Sequence, residues 1–381
     1  MLEKLDEVPW SDLSHAYGPA DDVPAQLRAL LSPEAEVRRK ARHDSYGNIF
    51  HQGTRYEASA PAVPFLLEML AEPSTPERAE LLELLVALAI GYDEAWLPGG
   101  FPLADYEAAA AGGEVLLQAG GGLSESDQNA LQAHIELRVH SAVALGVPLF
   151  RTLLEDEDPA VRRCAACALG WFPAQAEASS AALTWSLLDP GDTVAATAAL
   201  SLGLLGSQPL TAETLTAAFA GPRVAVRGAA AIALARLHGR EASAAVVDEL
   251  LRLSGDGETT GVPFHDGNLS GYAALSLRLV LPDDSETAFA ALLDRIPSVS
   301  GQHALPVVAE ALRRAFDQGA LGPDTPFDDL TDRQKRLARA LAASPSTWQL
   351  GGHVFANFSL MVGDYGLPSS HQRMLSFTEA S

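Results

Sequence analysis

The sequence predicts an all-α chain, a right-handed α-solenoid in which helical pairs stack as an α-α superhelix. Three observations predict it. Three segments line up: "DPAVRRCAACALG" from Asp158, "DTVAATAALSLG" from Asp192 and "RVAVRGAAAIALA" from Arg223, with Val161, Val194 and Val226 in register at offsets of 33 and 32 residues. Each segment is apolar at helical spacing, follows a turn rich in Asp, Pro or Gly, and is separated from the next by a shorter apolar-periodic stretch such as "ALTWSLLD" or "TLTAAFAG". A helix–turn–helix unit of that period cannot bury its own apolar face, so its neighbours must stack on it. Alanine dominates the aligned positions; it is the best helix former, and its small side chain lets helix axes approach closely.

Taken in order, residues 11–90 should form about two helical pairs. Residues 91–127, from "GYDEAWLPGGFPLADYEAAAA" to "GGGLSESD", interrupt the periodicity with Gly, Pro and aromatics. They are expected to be an inserted loop, and loops of that length in an array are usually functional or mobile. Central repeats occupy residues 128–300, with a second interruption at 254–271. There Asp158 and Pro159 read as an N-cap followed by an N1 proline, and Gly170 and Gly203 as helix ends. Residues 301–381 depart from the repeat and form a divergent helical C-terminal cap over the last open apolar face. The aromatics of "GGHVFANFSLMVGDYGLP" belong to its core. The whole is one continuous solenoid domain.

The Val-Arg-x-x-Ala pattern (Val161, Arg162, Ala165), the Asp-Pro turn before it, and "EVRRKA" at Glu36–Ala41 resemble HEAT repeats. Over nearly its whole length the chain also resembles a group of bacterial, chiefly actinobacterial, HEAT-repeat proteins of uncharacterised function. The carriers are "HAYGPADDVPAQLRALLS" from His15, "NIFHQGTRYEASAPAVPFLLEML" from Asn48, and a C-terminal pattern of "LTDRQ", Trp348 and "YGLP" from Tyr365. The repeat motif is degenerate, whereas the stretch around "HQGTRYEA" is much more specific.

Composition narrows the function. Net charge is −23, from 49 acidic against 26 basic residues. That field repels nucleic-acid backbones and anionic membranes and favours a basic protein partner. No apolar run approaches the length of a membrane span, the acidic N-terminus is no signal peptide, and two cysteines are too few for a disulfide framework. A cytoplasmic location fits, and the scarcity of lysine (Lys4, Lys40, Lys335) suits a GC-rich bacterial genome.

The residues that could carry function are few. "HQGTRYE" crowds His51, Gln52, Arg55 and Tyr56 around Gly53. It reads either as a polar turn satisfying helix ends, with Ser59 capping the next helix, or as a recognition patch with Arg55 as anion fork and Tyr56 as anchor. Trp96, Phe101 and Tyr106 either pin the long loop to the body or offer exposed anchors. His265 and Asp266, in "PFHDGNLSG", form a secondary binding-loop candidate. Cys164 and Cys167 align with Thr197/Ala229 and Leu200/Ile232, so they read as buried structural thiols. Glu136 and His140 are four apart and should pair on one helical face. No zinc, phosphate-loop or nucleophile-elbow pattern occurs. No catalytic residue, metal site or cofactor is therefore expected. The expected function is a non-catalytic protein-interaction scaffold. An immunity- or antitoxin-like protein neutralising a basic toxin is one alternative. A bilin-lyase-like enzyme, by resemblance to another HEAT-like group, is a second.

Overall fold

The valines that set the repeat register, Val161, Val194 and Val226, are 2%, 0% and 4% exposed, and Ala165, Ala198 and Ala230 beside them are fully buried. The computed structural model describes residues 1–117, 122–208, 210–255, 260–322 and 325–379. It is all-α, of the α-solenoid class, and its contacts divide it into two units, Met1–Gln208 and Pro209–Ser381.

The first unit contains α1 (Val23–Ala29), α2 (Ala35–Asn48), α3 (Ser59–Ala71), α4 (Arg78–Ile90), α5 (Leu103–Ala109), α6 (Gly113–Leu116), α7 (Glu125–Ala144), α8 (Val147–Thr152), α9 (Pro159–Leu169), α10 (Ala176–Ser186) and α11 (Asp192–Leu205). Pairs form between α1 and α2, α3 and α4, α8 and α9, and α10 and α11, while α4, α9 and α11 stack in sequence as an inner layer. The long α7 packs against α3, α4, α5 and α6. Residues 91–117 are thus partly helical, and α5 and α6 both lie on α7. The second unit contains α12 (Thr211–Phe219), α13 (Val224–His238), α14 (Ala244–Ser254), α15 (Leu269–Val280), α16 (Glu286–Arg295), α17 (Ala304–Ala315), α18 (Asp332–Ala342), α19 (Ala356–Gly363) and α20 (His371–Glu379). Here α12–α13, α14–α15 and α16–α17 pair, α13, α15 and α17 form the inner layer, and α18 packs on α20.

Helical periodicity gave no sign of three antiparallel hairpins. They are β1 (Ser14–His15) with β2 (Gly18–Pro19), β3 (Phe50–His51) with β4 (Thr54–Arg55), and β5 (Gln349–Leu350) with β6 (His353–Val354). In the second, Gln52 and Gly53 both take positive φ (50° and 89°), the signature of a two-residue type I′ turn. "HQGTRYE" is therefore a hairpin and not the plain interhelical turn expected from the pattern. Ser59 is the first residue of α3 and not its cap: its Oγ accepts from Tyr56 N (2.7 Å) and donates to the Ile49 carbonyl (2.5 Å), closing the base of the hairpin.

Arginines tie some of the turns to the next. Arg162 Nη1 donates to the Asp156 and Glu157 carbonyls (2.8 and 3.1 Å) and its Nε to Asp189 Oδ2 at 2.7 Å. Arg38 repeats this arrangement: Nη1 on the Ser32 and Pro33 carbonyls, Nε on Glu77 at 3.1 Å. The Val-Arg pattern of the sequence is thus a clamp that satisfies carbonyls in one turn and an acid in the next. Asp158 caps α9 as expected, accepting from Ala160 N at 2.8 Å. Gly203, read as a helix end, lies inside α11, which ends at Gly206 with φ 83°.

No single described helix is long and apolar enough to cross a membrane; α7 and the segment Val147–Glu155 meet that test only when joined across a 44° bend.

Alanine-rich packing makes a direct prediction. A Cβ on Gly170 would sit 3.1 Å from Ser201 Cα, where Ser201 Oγ already donates to the Ala166 carbonyl across α9 and α11. Gly170→Ala should destabilise the protein by about 1–3 kcal/mol through overpacking, read as a lower urea midpoint at unchanged slope.

Candidate functional site

Two stretches distant in sequence, Ser14–Asp22 and Asn48–Ser59, form one double-hairpin site. Ala16 N donates to the Asn48 carbonyl (3.1 Å) and Ala58 N to the Ser14 carbonyl (3.0 Å). Glu57 Oε2 accepts from both Ser14 N (3.0 Å) and Ser14 Oγ (2.7 Å). At the tips, the Tyr17 ring stands edge-on to His51 with centroids 5.4 Å apart, its hydroxyl 3.5 Å from His51 Nδ1. Tyr92 covers the other side of the second hairpin, packing against Phe50 and over Gly53. Tyr17 and Tyr92 are 70% and 52% exposed. Gln52 is exposed and His51 and Tyr56 half-buried. Burial first, then the neighbouring Tyr17 phenol, raises the Tyr56 hydroxyl pKa.

His15 supports this surface from beneath, and Asp22, its partner, stands exposed at the edge. His15 Nδ1 accepts from Tyr17 N at 3.0 Å, which requires the ring to be neutral with its proton on Nε2. Nε2 then donates to Asp22 Oδ1 at 3.0 Å. Asp22 Oδ2 accepts from Gln26 Nε2 (2.8 Å) and Asn48 Nδ2 (3.0 Å). The pair looks like half of an acid–base relay, but the ring nitrogen that would take a proton already holds a backbone amide, so its geometry suits positioning and not proton transfer.

Arg55 points inward and is 2% exposed. Its Nη2 lies 2.9 Å from Glu136 Oε2 on α7, and its Nη1 donates to the Gly53 carbonyl. Gln132, one turn earlier on α7, donates to Glu136 Oε1 (2.8 Å) and to the Arg55 carbonyl (3.2 Å). Tyr106 abuts the pair; burial first, then the Glu136 charge, raises its hydroxyl pKa. Phe101 stacks on Tyr106 (4.9 Å, 28°) and on His140 (4.8 Å, 9°), and Trp96 meets both Phe101 and Tyr106 edge-on. Trp96 Nε1 donates to the Ile90 carbonyl at 2.6 Å. These three aromatics pin residues 91–109 to α7. Glu136 and His140 share a face, as spacing suggested, but do not pair: His140 Nε2 faces the Trp171 carbonyl at 3.3 Å, and burial lowers its pKa.

The opposite face of α7 borders two adjoining cavities of about 490 and 580 Å³ that share His134 and Arg138. The first is bounded by Glu114 and Leu117, the second by Pro61 and Leu145. In the second unit, His265 is 8% exposed and Asp266 exposed, both at positive φ (52° and 51°). Burial pushes the His265 pKa down to about 4. Cys164 and Cys167 are buried; burial and then the Glu83 charge push the Cys164 thiol up to about 12. No group of three or more potential metal ligands occurs among the described residues.

The site that emerges therefore differs in membership from the sequence expectation. His51, Gln52 and Tyr56 are on its surface, Arg55, Trp96, Phe101 and Tyr106 are behind it, and His265 and Asp266 lie in the other unit. Tyr17, Asp22 and Tyr92 were missed. The "HAYGPADD" stretch was specific enough to have flagged the first two, but only the fold reveals that it meets "HQGTRYE".

Two outcomes follow. Arg55→Ala leaves Glu136 buried without its cation and should cost about 3–5 kcal/mol; adding Glu136→Gln should recover part of that in the same denaturant titration. Cys164 and Cys167 should resist iodoacetamide at pH 8 in the native protein and react only once it is unfolded, because the thiolate is the nucleophile and burial disfavours it; mass spectrometry of the labelled chain reads the result.

An engineered protein of known crystal structure aligns at 19% identity over 94% of this chain and 99% of its own, with a TM-score of 0.28. No curated protein matches the sequence. The family described as HEAT repeats matches residues 124–203, which span α7 to α11. Residues 124–203 are thus similar to HEAT repeats, and the stacked pairs and the Arg162 clamp already described lie within that stretch.

Proposed function

We propose that this chain is a non-catalytic interaction scaffold that binds a basic protein partner on its first unit. HEAT repeats generally mediate protein–protein interaction and are typically non-catalytic. The observation that carries the finer reading is the distribution of charge. Residues 1–208 hold 30 acidic against 12 basic side chains, net −18, whereas residues 209–381 hold 19 against 14, net −5. Several cations of the first unit are turned inward onto internal acids: Arg55 on Glu136, Arg78 on Asp156, Arg162 on Asp189. Each such pair cancels, so the net charge of −18 is carried by the unit's excess acids, and such a field steers and selects a positively charged partner. The exposed tyrosines of the double hairpin supply the residue type enriched at interface hot spots. Neutralisation of one basic toxin, the immunity-like reading, is the narrow form of the same chemistry and differs only in requiring a single tight partner.

The test exploits composition. With 49 carboxylates and lysine at only three positions, zero-length carbodiimide coupling joins this chain's acids to a partner's lysines. Native lysate is cross-linked at low salt and at about 0.5 M salt, where the screening length shrinks to a few ångströms. The expected result is a basic protein joined to carboxylates of residues 1–208, with yield falling steeply at high salt. Cross-links confined to residues 209–381, or partners retained without regard to salt or charge, would refute the reading.

A further inference from the structure

In several turns of the first unit a carboxylate is paired with an arginine, whereas, among the described residues, Asp22 and Glu57 of the double hairpin are not. Glu77 takes Arg38 and Arg42, Asp156 takes Arg78, and Asp189 takes Arg162; in each, a carboxylate held in a turn meets an arginine of the same chain. Asp22 and Glu57 are held as firmly. Asp22 accepts three hydrogen bonds, from His15, Gln26 and Asn48, and Glu57 accepts two from Ser14. Every one of these donors is neutral, and neither acid has an arginine or lysine partner among the described residues. The Asp22 side chain is 53% exposed. Beside it, linked through His15, stands the Tyr17 ring, 70% exposed and braced by His51 at 5.4 Å and His15 at 6.4 Å. An oriented carboxylate without a cation and an open aromatic face are the two groups that recognise a guanidinium: one by a charge-assisted hydrogen bond, the other by cation–π stacking.

We propose that Tyr17 and Asp22, with His51 and Tyr56 as the flanking wall, receive an arginine side chain from a basic partner, completing from outside the kind of pairing that Glu77, Asp156 and Asp189 complete from within. The inference rests on the reading of a basic protein partner and names the contact through which it is held. Arginine is favoured over lysine because its planar, weakly hydrated head stacks on an aromatic ring while donating at its edge. Asp22 already accepts three bonds, so it has room for about one more donor, and the ring must supply the rest of the contact.

The experiment titrates the full chain into fluorescently labelled nona-arginine and nona-lysine peptides at about 0.15 M salt, reading anisotropy. A chain of this charge attracts both peptides wherever it is acidic, so the deciding variant is one that leaves charge untouched. Tyr17→Ala should weaken nona-arginine binding about fivefold, while Tyr17→Phe, which keeps the ring, should stay within about twofold. Asp22→Asn should weaken it about fivefold, against less than about twofold for Glu177→Gln, an exposed acid on α10 carrying the same charge change. Nona-lysine should bind more weakly and lose less in Tyr17→Ala. Tyr17 is exposed, and circular dichroism with urea midpoints verifies each fold. Tyr17→Ala binding like the wild type, or Asp22→Asn matching Glu177→Gln, overturns the arginine slot and leaves a diffuse acidic surface for the basic partner intact. Failure of both peptides to bind the wild type overturns the slot and the basic-partner reading together.

Discussion

The ion pair between Arg55 and Glu136 is the constraint on which the first unit's surface depends. Both groups are buried, so each costs several kcal/mol to desolvate and neither is tolerable without the other. The pair is embedded: Gln132 holds the carboxylate and the hairpin backbone, the Gly53 carbonyl takes the other arm of the guanidinium, and Tyr106 closes the remaining side. These contacts fasten a hairpin of two-residue strands, too short to be stable alone, onto the longest helix of the chain. They also fasten α5 there, through Tyr106 and Phe101. The positions left outside, His51, Gln52 and Tyr56, are displayed because Arg55 is not.

The same chemistry runs through the turns with different consequences. Each Val-Arg clamp uses a guanidinium to satisfy carbonyls of its own turn and an acid of the next, so cation and anion cancel within the pair. Arg38, Arg78 and Arg162 are each paired with an acid, so the first unit's net charge of −18 is unchanged and rests on its excess acids. In the second unit Glu310, fully buried, draws Arg278, Arg313 and Arg314 onto one carboxylate. Three cations on one acid leave a local positive surplus, which Asp283 partly offsets through Arg313. The two units differ in net charge by composition, −18 against −5, and each holds an acid shared by more than one arginine, Glu77 in the first and Glu310 in the second.

How much of this was legible depended on periodicity. The repeats were read correctly because burial recurs at helical spacing, and Val161, Val194 and Val226 occupy equivalent buried positions. The cysteines were legible for the same reason, since Leu200 and Ile232 stood where Cys167 stands. Gly203 misled because glycine in an alanine-rich array can serve close packing as well as termination, and α11 runs two residues beyond it. The hairpins were invisible: two-residue strands have no period, and the Gln52–Gly53 turn lacks the usual Asn-Gly or Asp-Gly sequence. The site itself was half legible. "HQGTRYE" stood out by composition, but its orientation was decided by Glu136, about 80 residues away on a helix whose own pattern suggested pairing with His140. Contacts at that separation leave no local trace, and neither does the meeting of Ser14–Asp22 with Asn48–Ser59.

Three histidines of the first unit fix neighbouring groups in place. A catalytic imidazole needs one nitrogen oriented by a partner and the other open to substrate. His15 has the orienting acid, Asp22, but its second nitrogen accepts the Tyr17 amide; His140 is sealed between Phe101 and the Trp171 carbonyl; His51 faces a phenol 3.5 Å away. In each case the ring's hydrogen bonds and stacking fix a neighbour in place: the Tyr17 loop, the α5 aromatics, the hairpin tip. Rigid placement of exposed tyrosines is what an interface requires, because side chains held before contact lose little entropy on binding. The polar chemistry that made these stretches conspicuous therefore lies mostly beneath the surface, and its product is the fixed geometry of Tyr17, His51 and Tyr56 above it.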